Sequence, residues 1–65
     1  MGIMERKDRL VEEITVGTLM LMADPASGPW WGAVLAIEEG HGVTTFTLPG
    51  KTITLGWHQT WVVAA

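Results

Sequence analysis

The stretch VTTFTLPGKTITLGW, from Val43 to Trp57, predicts a β-hairpin. Residues 43–48 are rich in threonine and other residues that favour strands. Pro49-Gly50 predicts a tight turn, because proline presets φ at the second turn position and glycine supplies the positive φ of the third. Residues 52–57 alternate in polarity, so one face of the second strand is apolar: Ile53, Leu55, Trp57. This stretch therefore predicts antiparallel β-structure.

The same pattern of short apolar runs separated by turn residues extends in both directions from the hairpin. It predicts five strands, at residues 14–22, 30–38, 43–48, 52–57 and 61–64. Residues 23–29 contain two prolines and a glycine and predict a loop, 39–42 predict a turn, and 58–60 a short connector. The fold class expected for residues 14–65 is all-β, a small five-stranded antiparallel barrel.

Residues 1–13 differ in composition from the rest of the chain. Seven of the eleven charged residues lie between Glu5 and Glu13. Glu5 and Arg9 are spaced as an i,i+4 pair, which supports a helix. We therefore predict a charged N-terminal arm over residues 1–13, either a short helix or a disordered segment.

Composition argues against several classes of function. The net charge of −3 disfavours binding to nucleic-acid phosphates, and the absence of cysteine excludes disulfides and thiolate metal sites. With only two histidines and one serine, we expect no metal, no cofactor and no catalytic constellation. No uninterrupted apolar helix and no signal peptide are predicted, so a cytoplasmic protein without a membrane role is expected.

The order of strands and turns resembles the SH3-like small barrel. Within that class, residues 17–21 (GTLML) and 27–34 (SGPWWGAV) are similar to the opening of the type II, trimethoprim-resistant dihydrofolate reductases, and residues 49–55 (PGKTITL) match loosely. The resemblance implies a small barrel, and for that family a tetrameric pore lined by a Val-Gln-Ile-Tyr stretch and a nearby lysine. Residues 53–56 (ITLG) lack that glutamine and tyrosine. A dihydrofolate reductase-like enzyme is therefore the alternative function, not the first.

Two of the predicted strands are apolar on both faces. Leucine alternates with methionine over residues 19–22, and residues 30–36 carry two tryptophans followed by small or aliphatic residues. In a small monomeric barrel one face of each strand lines the core and the other faces water, so a second apolar face is not expected. We therefore predict a homo-oligomer that covers the outer faces of these strands.

Four tryptophans in so short a chain suggest an aromatic binding surface. Because Trp30 and Trp31 are adjacent on a strand, they must point to opposite faces. The predicted site joins one of them to a second aromatic pair and two polar residues; its candidate residues are Trp30, Trp31, Trp57, His58, Gln59 and Trp61. Titration of His58 should strengthen anion binding as the pH falls from about 7.5 to 6.

The competing interpretation makes Trp57 and Trp61 core residues and His58 a cap of the connector. The predicted function is a non-catalytic binding module. It would bind a partner protein, or sequester a small planar or nucleotide-like ligand as small phage-encoded proteins do. A purely structural assembly subunit is the third interpretation.

Overall fold

The computed structural model describes residues 5–65 and shows an all-β domain, which confirms the predicted fold class. Its strands are β1 (Arg6–Leu10), β2 (Leu19–Asp24), β3 (Gly28–Ala33), β4 (Ala36–Glu39), β5 (Val43–Leu48), β6 (Lys51–Gly56) and β7 (Thr60–Ala64). A single 3₁₀ turn, Val11–Glu13, follows β1. No helix among the described residues is long and apolar enough to cross a membrane.

The strands form two antiparallel sheets. The first has the order β1-β7-β2-β3 and the second the order β4-β5-β6. The β5–β6 hairpin is the one predicted from sequence, with Phe46 opposite Ile53 and Gly50 at φ 78° in the turn. Within residues 5–65 the two sheets do not join into a closed barrel.

The structure corrects the expectation of a helical or disordered arm. Residues 6–10 form β1, which pairs with β7 from Arg6↔Ala64 to Leu10↔Thr60. Residues 1–4 of the predicted arm lie outside the described residues. The exposed i,i+4 pair that favoured a helix is worth only about 0.3–0.5 kcal/mol. A five-residue ladder, followed directly by the buried Val11, outweighs it.

Residues 5–65 form seven strands where five were expected, and one of the two additional strands arises because the predicted strand 30–38 is two strands in different sheets. The chain passes from β3 to β4 at residues 34–35. The Val34 N–H donates to the Thr18 carbonyl, and the Leu35 N–H donates to the Thr47 carbonyl in the second sheet. The remaining additional strand is β1. The predicted loop 23–29 is also shorter, since β2 and β3 stay paired out to Asp24↔Gly28.

The core lies between the two sheets. Its buried apolar residues are Val11, Ile14, Met20, Met22, Val34, Phe46, Leu48 and Val63. Gly32 is buried where β3 meets this core, and a Cβ built on it would lie 2.8 Å from Leu48 Cδ2 and 2.8 Å from Trp30 Cζ3. Only glycine allows β3 to approach the second sheet this closely.

We predict that Gly32→Ala destabilises the fold by about 1–3 kcal/mol, the usual cost of overpacking a core. Urea unfolding monitored by tryptophan fluorescence measures the change. Gly40→Ala is the matched control, because its Cβ would meet nothing nearer than Val43 Cγ2 at 3.5 Å. Equal stability of the two variants would contradict the close packing of β3.

Candidate functional site

The four-stranded sheet has one face turned away from the core. Met20, Met22 and Val63 point into the core, so their neighbours along β2 and β7 point outward. The register of the sheet extends this outer face across all four strands. We define the outer face by its residues: Arg6, Asp8, Leu10, Leu19, Leu21, Ala23, Pro29, Trp31, Ala33, Thr60, Val62 and Ala64. It is mostly apolar, as expected for β2 and β3.

A shallow pocket opens beside the junction of β2 and β7. Its volume is about 260 Å³, and its lining residues are Asp8, Leu21, Thr60, Trp61 and Val62. β2 and β7 pair at a single position, Met20↔Val63. Beyond it, the Trp61 Nε1–H donates to the Leu21 carbonyl at 3.0 Å. The indole thus bridges the two strands where their ladder ends, and Trp61 is one of the residues that line the pocket.

Trp30 and Trp31 point to opposite sides of β3, as predicted from their adjacency. Trp30 packs against the core, and its Nε1–H donates to Asp24 Oδ2 at 2.9 Å. The Lys51 ammonium lies 3.8 Å from the other oxygen of Asp24. Trp31 is half-buried on the outer face, directly opposite Leu21. Of the pair, Trp31 is therefore the one next to the pocket-lining residues.

Trp61 serves two purposes in the structure. It is half-buried and packs against the core, which agrees with the core interpretation, and it also lines the pocket. Trp57 follows β6, and 47% of its surface is exposed. The six predicted site residues therefore occupy four places: the outer face of β3, the core side of β3, the core side of β7 and the turn after β6. Only Trp61 among them lines the pocket.

The turn after β6 uses the polar groups of His58 and Gln59 within the chain. Glu12 accepts a hydrogen bond from the His58 N–H at 2.9 Å and lies 3.1 Å from the imidazole Nδ1 through its other oxygen. Gln59 Oε1 accepts from the Gly56 N–H, and the Gln59 carbonyl accepts from the Val11 N–H. These contacts fasten the 3₁₀ turn to the β6–β7 turn and hold His58 at φ 70°. They match the capping interpretation of His58; ligand binding by these residues stays a prediction.

The same contacts lower the pKa of Glu12 from its ordinary value of 4.5. The main cause is the hydrogen bond from the His58 backbone N–H, followed by one from the backbone of Glu12 itself; the His58 charge contributes least. A lowered carboxyl pKa stabilises the fold above the unfolded-state pKa. That contribution is lost as the pH falls through the folded-state value.

The described residues offer little for catalysis or metal binding. Residues 5–65 contain no group of three or more histidine, aspartate or glutamate side chains able to hold a metal ion. The pocket supplies one carboxylate, from Asp8, and one hydroxyl, from Thr60.

No protein-family model, curated protein or solved structure matches this chain.

Four of the five pocket residues were not among the sequence candidates. Alternation along β2 and β7 could have identified Leu21 and Val62, because their neighbours are core residues. The sequence gives no such signal for Asp8, because the charged run that contains it shows no alternation of apolar and polar residues. Its position follows only from the pairing of β1 with β7.

We predict that Glu12→Gln lowers the melting temperature at pH 7 and flattens its decline on acidification from about pH 5 to 3. The neutral amide cannot supply the charge-dependent part of the contact with His58. Melting curves across this pH range measure both effects. Glu13→Gln is the matched control, because its side chain is exposed and is not the partner of His58. Identical pH profiles for the wild type and Glu12→Gln would contradict this role of Glu12.

Proposed function

We propose that this protein is a non-catalytic, homo-oligomeric binding module that uses the outer face around its pocket. The ligand is either a partner protein or a small planar, nucleotide-like molecule. One observation carries the proposal: Leu21 lies opposite Trp31 across the β2–β3 ladder and lines the pocket together with Trp61. Trp31 thus lies beside Leu21 on the outer face, and Trp61 reaches the Leu21 carbonyl from the core side of β7.

The rigidity of the pocket wall supports binding. The Trp61 indole is held at one end by its hydrogen bond to the Leu21 carbonyl and packs against the core. A fixed aromatic ring offers a large contact area with little loss of side-chain entropy. The cavity of about 260 Å³ is somewhat smaller than a typical small-molecule site of roughly 300–1,000 Å³. It suits one ring system or one side chain, not a whole dinucleotide.

Charge narrows the choice of ligand further. Among the described residues, Asp8 is the one charged residue that lines the pocket, and the whole chain has a net charge of −3. A phosphate would be repelled at this position, which again disfavours nucleic acid. A nucleotide-like ligand would therefore insert its base and keep its phosphate away from Asp8. In the sequestering version of the proposal, the protein is a phage-encoded sponge or inhibitor acting in the cytoplasm.

The turn bearing Trp57, His58 and Gln59 leads directly into Thr60, which lines the pocket. We include these three residues in the proposed site as its rim. Trp57 has free surface for such contacts, and 85% of the His58 side chain is exposed despite its contact with Glu12. Trp30 faces the core and acts on the site only indirectly, by supporting β3, where its indole N–H is bonded to Asp24.

We predict that adenosine and guanosine monophosphates quench the tryptophan fluorescence of the protein saturably. Trp31→Ala should weaken this binding at least about fivefold, since stacking of one base on an aromatic ring is worth about 1–3 kcal/mol. Leu35→Ala is the matched control, because Leu35 is 57% exposed and lies outside the outer face. Unaltered affinity in a folded Trp31→Ala variant would contradict the proposed ligand site.

The alternative function is an enzyme of the type II dihydrofolate reductase kind. We predict no consumption of NADPH above background when the protein is mixed with dihydrofolate and NADPH. The reason is that residues 53–56 lack the glutamine and tyrosine of that family's pore motif. Measurable turnover that scales with protein concentration would favour the enzyme over the binding module.

A further inference from the structure

β1 is the edge strand of the four-stranded sheet, and no other strand within residues 5–65 pairs with its second side. The Ala65 N–H donates to the Glu5 carbonyl, and the Val11 N–H donates to the Gln59 carbonyl. Odd-numbered residues of this segment therefore direct their backbone groups toward β7. Arg6, Asp8 and Leu10 direct theirs toward the free edge.

The charges along this edge are self-complementary in one register. In a symmetric antiparallel pair, the two-fold axis perpendicular to the sheet passes between two copies of the same residue. With the axis at Lys7, Arg6 faces Asp8 of the second copy, and Glu5 faces Arg9 of the second copy. Symmetry repeats each contact, which gives four opposite-charge pairs against one like-charge pair, Lys7 with Lys7.

Neighbouring symmetric registers are electrostatically worse. An axis at Asp8 sets Asp8 against Asp8 and Lys7 against Arg9. An axis at Arg6 or Arg9 sets arginine against arginine. The backbone allows the Lys7 register, as it allows the neighbouring symmetric registers, because Arg6 and Asp8 both direct their N–H and C=O groups toward the free edge. Four backbone hydrogen bonds can form between these residues in the two copies. The charges therefore decide between the registers.

We propose that a second copy of this chain pairs with β1 in this register and joins two four-stranded sheets into one of eight strands. The inference deepens the homo-oligomer of the proposed function by naming the contact that builds it. It differs from coverage of the outer face, because the contact runs along the sheet edge. The outer faces of both copies remain open.

This pairing also adds a residue of the second copy, its Arg6, beside the pocket. Asp8 lines the pocket, and its side chain lies on the outer face together with that of Arg6. In the dimer, Arg6 of the second copy stands opposite Asp8 and therefore beside the pocket. The guanidinium offsets the carboxylate that would otherwise repel an anionic ligand. Each pocket is in this sense shared between two copies.

The strength of the dimer is limited by its size. A five-residue edge buries less than the roughly 800 Å² per partner of a standard interface, so dissociation should depend on protein concentration. Charged edge strands also serve in many proteins to prevent pairing. Charge reversal distinguishes an edge that pairs from an edge that prevents pairing. If the edge pairs in this register, exchanging the charges at positions 6 and 8 together keeps every opposite-charge pair and therefore keeps the dimer.

The test is analytical ultracentrifugation over a range of concentrations, with charge-reversal variants of the full chain. Arg6→Asp and Asp8→Arg should each weaken dimerisation at least about tenfold, because each turns two attractive contacts into repulsive ones. The double variant Arg6→Asp/Asp8→Arg restores every pair and should return to within about threefold of the wild type. Lys7→Thr removes the like-charge contact and should strengthen the dimer.

Glu38→Arg is the matched control, since it changes net charge by the same amount as Asp8→Arg at an exposed position of β4. Melting temperatures of all variants verify that they fold. Loss of dimer in both single variants without recovery in the double variant would overturn the inference. So would dimerisation that the single reversals leave unchanged.

The outcomes also separate this inference from the proposed function. A dimer lost in Trp31→Ala but retained in the single charge reversals would move the interface to the outer face and leave the homo-oligomer standing. A monomer at every concentration would overturn both the inference and the homo-oligomer. Quenching by nucleoside monophosphates remains a separate measure of binding in either case.

Discussion

The bridge that Trp61 makes between β7 and β2 is the contact on which the arrangement of this domain depends. The two strands pair at one position only, Met20↔Val63, and both residues are fully buried. Beyond that pair the strands are joined by the indole hydrogen bond to the Leu21 carbonyl. This bond satisfies a backbone acceptor that a strand ladder would otherwise satisfy. It also leaves the opening that becomes the pocket.

The ends of β7 are held by contacts with the first residues described. Five residues of β7 pair with β1, and the turn before β7 is fastened through Glu12 to the 3₁₀ turn. The chain of 65 residues has no cysteine and therefore no disulfide, and within residues 5–65 eight apolar residues are buried in the core. In so small a domain, folding relies on nearly every backbone pairing available. The charged N-terminal segment is therefore a structural part of the sheet.

Local chemistry made part of this structure predictable from sequence. Pro49-Gly50 and the alternation after it determine the β5–β6 hairpin, and adjacency alone determines that Trp30 and Trp31 face opposite ways. β1 was not predictable, because its pairing with β7 joins residues fifty or more positions apart and the spacing of its own charges favours a helix. The division between β3 and β4 depends on hydrogen bonds from Val34 and Leu35 to different parts of the fold.

The candidate site was also predictable only in part. A sequence shows the residue types that could form a site, but it does not show which contacts each side chain makes within the fold. Trp61 packs against the core and also lines the pocket, so the core interpretation and the binding interpretation of this residue are compatible. The imidazole of His58 is largely exposed, yet its Nδ1 already has a carboxylate partner in Glu12. In a domain this small, one side chain must serve the fold and the surface together. The ability of such a side chain to bind a ligand therefore depends on which of its polar atoms already have hydrogen-bond partners within the fold.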